Sequence, residues 1–401
     1  MKLTEVRTPA YVIDEKKLRE NLEILDRVQK ESGAKILLAQ KAYSVYQTYP
    51  LIAKYLTGAT ASGLYEARLA HEELKVRDGI ENHVYEPAFE DDEMVELCQI
   101  CDHIVFNSIN QLEHHRKIWE QPAREGRVSI GLRINPEFST QEEHEIYDPC
   151  SEGSRLGIKL VDMPGELPDG VEGIHFHTLC EQDFEPLRQT FQHVEENFGR
   201  FLPIKNESQE PLDETASSTS RKIKWINLGG GHHITRDDYN VDGLITFIKE
   251  IKNKYDMEVY LEPGEAIALD AGYLVTTVMD IVQTQRMPVL ILDTSAACHM
   301  PDVLEMPYRP PLRGSEQPGE LEHNYRLSSR TCLAGDVIGD YSFDHEINIG
   351  DKLIFEDMAI YSMVKNNTFN GMPLPDIDIM HENGEVEVIR KFGYEDFKMR
   401  L

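Results

Sequence analysis

Lys41 closes the run Lys35-Ile-Leu-Leu-Ala-Gln-Lys41, a short apolar segment that ends in a single amine. Apolar runs of this length suit a strand covered on both faces. A lysine desolvated at the tip of such a strand has a lowered pKa and attacks carbonyl carbon to form a Schiff base. The plainer alternative is a lysine that leaves the strand for solvent. Leu261-Glu262-Pro-Gly-Glu265 sets two carboxylates three residues apart on a Pro-Gly turn, where both can face one cleft. A buried carboxylate beside a ring nitrogen keeps that nitrogen protonated; a solvated turn is the alternative. Gly173-Ile-His175-Phe-His177-Thr-Leu-Cys180 alternates two histidines on one face of a strand, with His177 nearer its end. The pair has zinc-ligand character but no third ligand stands out. Asn227-Leu-Gly229-Gly230-Gly231-His232-His233 offers consecutive amides to an anion such as phosphate, or is a tight turn. It lacks the Gly-Lys-Ser/Thr of a nucleotide loop, and its two histidines lack a carboxylate at metal-ligand spacing. Later in the chain, Thr331-Cys332-Leu-Ala-Gly335-Asp336 puts a thiol near an acid, as a proton donor or as a core cysteine before a turn. Tyr361 carries a hydroxyl able to reach a phosphate.

These groups need a frame that brings them together. The residue pattern predicts strands at 36–40, 58–62, 83–86, 103–107, 128–135, 173–178, 224–228 and 259–262, with helical patterns such as 64–74, 94–101, 184–198 and 241–255 between them. Eight strands alternating with helices are the signature of a closed (β/α)8 barrel, with a doubly wound open sheet as the rival. In a barrel, Lys41, His177, the glycine loop and Glu262 all fall at the carboxyl ends of strands, where such barrels keep their chemistry. After Glu265 the texture changes to short β-type runs at 273–281, 288–293, 326–332 and 352–355, separated by Pro- and Gly-rich turns. Strands without intervening helices predict a mainly antiparallel second domain, which the first strand, Ala10-Tyr11-Val12-Ile13-Asp14, can join. The expected division is therefore a barrel over 30–270 and a β domain from 1–29 and 271–401. Residues 206–220, polar and of low complexity, read as a surface insertion without a catalytic role.

The bulk numbers bound the partners. Asp and Glu number 71 against 41 Lys and Arg, a net charge of -30. Such a surface repels nucleic acid and anionic membranes and attracts cations, polyamines among them. No apolar run approaches the roughly 18 residues of a membrane helix, and the first residues lack a signal-peptide core, so a cytoplasmic protein is expected. The six cysteines are scattered, which argues against a disulfide framework; Cys98 and Cys101 have redox-motif spacing but sit in an apolar helical pattern and read as core.

Taken together, the order and spacing of Lys41, His177, Gly229–Gly231, Glu262 and Cys332 resemble the pyridoxal-phosphate decarboxylases of the alanine-racemase fold, a group that includes ornithine and diaminopimelate decarboxylases. The resemblance runs from Thr8-Pro9-Ala10-Tyr11 to Tyr361. Ala39-Gln-Lys41-Ala-Tyr, His175-Phe-His177-Thr-Leu-Cys180-Glu, Glu262-Pro-Gly-Glu265-Ala and Ser295-Ala-Ala-Cys298-His-Met-Pro-Asp302 are most similar to the branch that acts on carboxylated polyamines. The resemblance implies pyridoxal 5'-phosphate as cofactor, held by Lys41, with Glu262 on the ring nitrogen and His177 on the ring face. It also implies Gly229, Gly230, Gly231 and Tyr361 near the phosphate, and Cys332 as the donor that returns a proton to the α-carbon. A homodimer with shared active sites is implied as well. One position departs from the wider group, which usually has Glu-Pro-Gly-Arg with the arginine near the phosphate; here it is Glu265. A carboxylate is repelled by phosphate, so Glu265, with Asp302 and Asp336, is expected to meet the amines of a cationic polyamine-like substrate. Alternatives are a decarboxylase of another basic amino acid, and a cofactor-binding regulator that has lost catalysis; the presence of both Lys41 and Cys332 speaks against the latter.

Overall fold

A computed structural model describes residues 1–141, 145–205 and 223–401. The expected insertion at 206–220 lies outside the described residues. The chain divides into two compact units, one made of Met1–Asn21 with Ala268–Leu401 and the other of Leu22–Ile267.

The second unit contains a closed barrel of eight parallel strands in sequence order: β2 (Lys35–Ala39), β3 (Gly58–Ala61), β4 (Glu81–Glu86), β5 (His103–Phe106), β6 (Ser129–Arg133), β7 (Val171–His175), β8 (Trp225–Asn227) and β9 (Glu258–Leu261). Pairing of Lys35 and Ile36 on β2 with Tyr260 and Leu261 on β9 closes it. The open-sheet alternative is thereby excluded. The strands form because they are covered on both faces and mainly apolar: Ile36 to Ala39 are all buried, as are all of β3, β5 and β8. Leu37, Val105, Trp225 and Tyr260 fill a layer of the interior. Trp225 fits only because its neighbours on β6 and β7 are glycines: a Cβ on Gly131 or Gly173 would stand 2.3 or 2.0 Å from the indole.

The other unit is built on a sheet ordered β13-β12-β11-β10-β1-β15-β16, with β14 also paired to β10. Its strands are β1 (Ala10–Asp14), β10 (Gly272–Val282), β11 (Val289–Leu292), β12 (His323–Ser329), β13 (Val337–Phe343), β14 (Lys352–Glu356), β15 (Asp376–Met380) and β16 (Val386–Arg390). Most pairings are antiparallel; β1 with β15 and β11 with β12 are parallel. The amino-terminal strand thus lies inside this sheet, between β10 and β15, and Tyr11 on it is fully buried in the core with Leu274, Leu327, Tyr341 and Phe355. Cys98 on the helix Asp91–Ile100 and Cys101 just beyond it are buried free thiols, and burial raises the pKa of both, Cys98 to about 11, opposite to a poised redox thiol.

Candidate active site

Lys41 follows the end of β2 in a turn that several contacts fix. Gln40 is fully buried, donates to the Glu66 carbonyl at 2.9 Å and accepts from the Tyr49 hydroxyl at 3.0 Å. The Ala39 amide donates to the Pro263 carbonyl at 3.0 Å, and Gly264 lies so close to Ala42 that a Cβ would approach it to 2.7 Å. The Lys41 and Glu262 turns therefore pack on each other. The Lys41 side chain opens to solvent at the mouth but is hemmed in by protein. Loss of hydration first, and the Arg133 guanidinium next, lower its pKa, while Glu262, Glu265 and Glu66 pull it back up.

His177 faces this amine, with Nε2 3.3 Å from Lys41 Nζ. Gly230 N–H donates to His177 Nδ1 at 3.0 Å, which places the ring proton on Nε2. Burial, with Lys41 and Arg133 nearby, keeps the ring well below its ordinary pKa and hence neutral. An N–H directed at Lys41 cannot accept from an ammonium, so the contact favours the free amine, the form that attacks a carbonyl. Arg133 completes the arrangement: it is buried, donates to the His177 carbonyl at 2.9 Å and lies over the Tyr85 ring at 4.6 Å.

Glu262 stands just beyond β9. Asn227 donates to its Oε1 at 2.7 Å and His175 to its Oε2 at 3.1 Å. Burial alone would raise its pKa, but the charge and hydrogen bond of His175, with smaller help from His83 and Thr60, outweigh it and hold the carboxyl well below the usual range. His175 is itself held below its ordinary pKa by burial, against the upward pull of the Glu262 charge and hydrogen bond. The result is a carboxylate held in its ionised form at the barrel mouth, with lone pairs left for another N–H.

Three expectations change here. β7 ends at His175, so His177 lies in the following loop and not on the strand face; the backbone leaves the ladder once the Phe176 amide has bonded the Asn227 carbonyl at 3.0 Å. The glycine loop is shaped by close backbone approach more than by a free row of amides. A Cβ on Gly229, Gly230 or Gly231 would come within 2.5, 2.1 and 1.8 Å of the carbonyls of Phe176, Glu262 and Leu179. The amides of Gly229 and Gly230 are already used, on Asn227 Oδ1 and His177 Nδ1. Glu265 has a cationic partner in its own chain: His233 Nε2 lies 2.7 Å from its Oε2, both side chains largely buried.

The remaining expected residues belong to the other unit. Asp336 is buried and accepts from the hydroxyls of Ser295, Ser329 and Thr331 and from the Ala297 amide. With its oxygens taken by the protein, it organises the turn that carries Cys332 instead of meeting substrate. Cys332 is exposed, and its amide donates to Asn370 Oδ1 at 2.8 Å. Asp302 is paired with Lys365, which also reaches Glu305 at 2.6 Å. Tyr361 sits at a positive φ of 48°, as does Asp357 at 55°.

The family model described as pyridoxal-dependent decarboxylase, C-terminal sheet domain, matches residues 10–359. The chain belongs to the pyridoxal-dependent decarboxylases. Over its whole length the decarboxylase is 40% identical to a carboxyaminopropylagmatine decarboxylase from Synechocystis sp., spanning 100% of this chain and 97% of that one. It is 39% identical to a carboxynorspermidine/carboxyspermidine decarboxylase from Campylobacter jejuni, spanning 99% of each. The crystal structure of carboxynorspermidine decarboxylase from Campylobacter jejuni complexed with norspermidine superposes with a TM-score of 0.86 at 38% identity, over 99% of this chain and 100% of that one.

The barrel residues fit pyridoxal phosphate. Lys41 offers a partly desolvated amine to its aldehyde, and Glu262 offers a buried, ionised carboxylate to its ring nitrogen. Asn227 and Arg133 received no role from the sequence, and His175, weighed there as one of a zinc-binding pair, instead bonds Glu262. The signal was present: Asn227 ends a barrel strand, and Arg133 is a charge closing the otherwise apolar Ile130-Gly-Leu132.

Proposed function

We propose that this carboxy-lyase decarboxylates a carboxylated polyamine, carboxynorspermidine or carboxyspermidine, to norspermidine or spermidine. The observation that supports this most is the end-to-end similarity to the Campylobacter jejuni enzyme, whose structure holds norspermidine. Glu265 adds support, since a diaminopimelate decarboxylase has a second substrate carboxylate to accommodate and a carboxylate at this position repels it.

Pyridoxal phosphate, when bound, supplies the electron sink for the pair left by departing carbon dioxide. Lys41, with its partly desolvated amine, would hold the cofactor through its aldehyde. Glu262, steadied by His175 and Asn227, would hold a proton on the ring nitrogen, and His177, beside Lys41, would border the ring. The Gly229–Gly231 loop and Tyr361 take the phosphate, with Gly229 and Gly230 shaping the loop. Cys332, presented by the turn that Asp336 ties down, returns a proton to the α-carbon. Glu265 and Asp302 contribute negative charge for the substrate's amines, each already shared with a cation of the chain, so their pull is weaker than that of free carboxylates. The enzyme works as a homodimer whose sites are shared; light scattering on the purified protein tests this, and a monomer with full activity overturns it.

The Synechocystis relative supports a second reading, in which the substrate's far end is a guanidinium. Carbon dioxide release from carboxynorspermidine, carboxyspermidine, carboxyaminopropylagmatine, ornithine and diaminopimelate, measured side by side, decides. The proposal expects the highest kcat/KM on one of the first two. A preference for the third transfers the function to the agmatine derivative, and activity confined to the last two overturns both readings.

A further inference from the structure

On the barrel's outer layer, three metal-ligating side chains converge where the helix Asp91–Ile100 begins and the helix Ile109–His114 ends. His114 Nε2 lies 2.7 Å and His115 Nδ1 3.4 Å from the same oxygen, Asp91 Oδ1. The three ligand atoms all lie within 4.8 Å of one another. His115 decides how this cluster is read. Its ring is fully buried, and its Nε2–H is committed to the Phe89 carbonyl at 3.2 Å. A neutral imidazole has one N–H, so Nδ1 presents a bare lone pair. That lone pair points at a carboxylate oxygen, acceptor against acceptor, and Nδ1 has no hydrogen-bond partner.

A cation placed among the three atoms resolves the conflict. A ring whose second N–H is held by a backbone carbonyl is the usual arrangement of a metal-binding histidine. In a tetrahedral zinc site, with bonds of about 2.0–2.1 Å, neighbouring ligand atoms stand roughly 3.3 Å apart; the two separations to Asp91, 2.7 and 3.4 Å, already bracket that value, and the third is no more than 4.8 Å. We propose that Asp91, His114 and His115 form a binding site for a divalent cation of borderline softness, zinc first, with water on the open side. Two imidazoles and one carboxylate match zinc better than calcium or magnesium, which take oxygen ligands. Asp91 and His114 are 72% and 56% exposed at the side chain, so the ion has access. The site would staple the β4 connection to the end of the following helix. A second cluster, Glu81, His83 and His103, has similar donors, but there Lys35 Nζ lies 2.7 Å from Glu81 and already supplies the positive charge.

The test uses holoenzyme without a histidine tag, freed of metal by a chelator, then dialysed against zinc and assayed for metal per chain. The comparison protein is Asp91→Asn/His114→Ala, whose changes fall on exposed side chains. Wild type should hold one zinc per chain more than the double variant and show a zinc-dependent rise in Tm that the variant lacks. Each single substitution should weaken binding by about tenfold or more. Equal zinc content and equal Tm response in wild type and double variant overturn the proposal.

Discussion

Lys41 and His177 face each other through two nitrogens, and the proton on one decides the state of the other. Borohydride treatment of the holoenzyme should therefore fix the cofactor on Lys41 alone. Peptide mapping checks this, and label on another lysine refutes the assignment. Glu262→Gln keeps the hydrogen-bonding shape but loses the charge. It should leave the cofactor attached and lower kcat about ten- to a hundredfold, the worth of a charged hydrogen bond of about 1.5–3 kcal/mol; an unchanged kcat places the charge elsewhere. His233 gives a pH signature. Burial works against its charged ring, but the hydrogen bond and charge of Glu265 outweigh it and raise the pKa. A group whose folded pKa is raised stabilises fully below its unfolded value, about 6.5, and that contribution is lost as pH rises through the folded pKa. Glu265→Gln should thus cost on the order of 1 kcal/mol near pH 6 and less near pH 9, read from denaturant unfolding. A pH-independent difference refutes the pairing. A raised substrate KM in the same variant with cofactor affinity intact supports a part for Glu265 in substrate binding.

At the scale of elements, the barrel interior depends on the match of one large side chain with two absent ones. Gly173→Ala puts a methyl 2.0 Å from the Trp225 indole and should destabilise by about 1–3 kcal/mol or more. Trp225→Phe should relieve part of that cost in the double variant, so a thermodynamic cycle must show favourable coupling; simple additivity contradicts this packing. In the sheet unit, Asp336 ties Ser295, Ala297, Ser329 and Thr331 to the turn before it. Asp336→Ala leaves these donors unsatisfied and should cost about 2–4 kcal/mol. It should also slow turnover in the same way as Cys332→Ala. A stable variant with normal turnover removes Asp336 from the support of Cys332.

Across the whole molecule, a net charge of -30 draws cationic substrates toward the protein. Raising ionic strength from about 0.01 M to about 1 M shrinks the Debye length from about 30 Å to about 3 Å. On a polyamine substrate, kcat/KM should fall severalfold over that range while kcat changes little. A flat profile would mean that the acidic surface serves another purpose. Among the described residues no helix is long and apolar enough to cross a membrane.

The sequence by itself determined the eight barrel strands, because most have a short buried apolar centre, as at residues 36–39 and 104–106, that stands out between helical patterns. It also determined the amine and carboxylate at the barrel mouth, because a charge that ends such a run stands out against it. Only the tertiary structure decided what those groups touch. Which residues share the Glu262 carboxylate depends on strands 35 and 87 residues away. That the amides of Gly229 and Gly230 are spent inside the loop, that His233 claims Glu265 and that Asp336 is sealed among hydroxyls depend on the same long-range packing. A residue's type tells what it can bond. The partner is set by distances of a few ångströms between segments far apart in the chain, and local pattern carries no record of them.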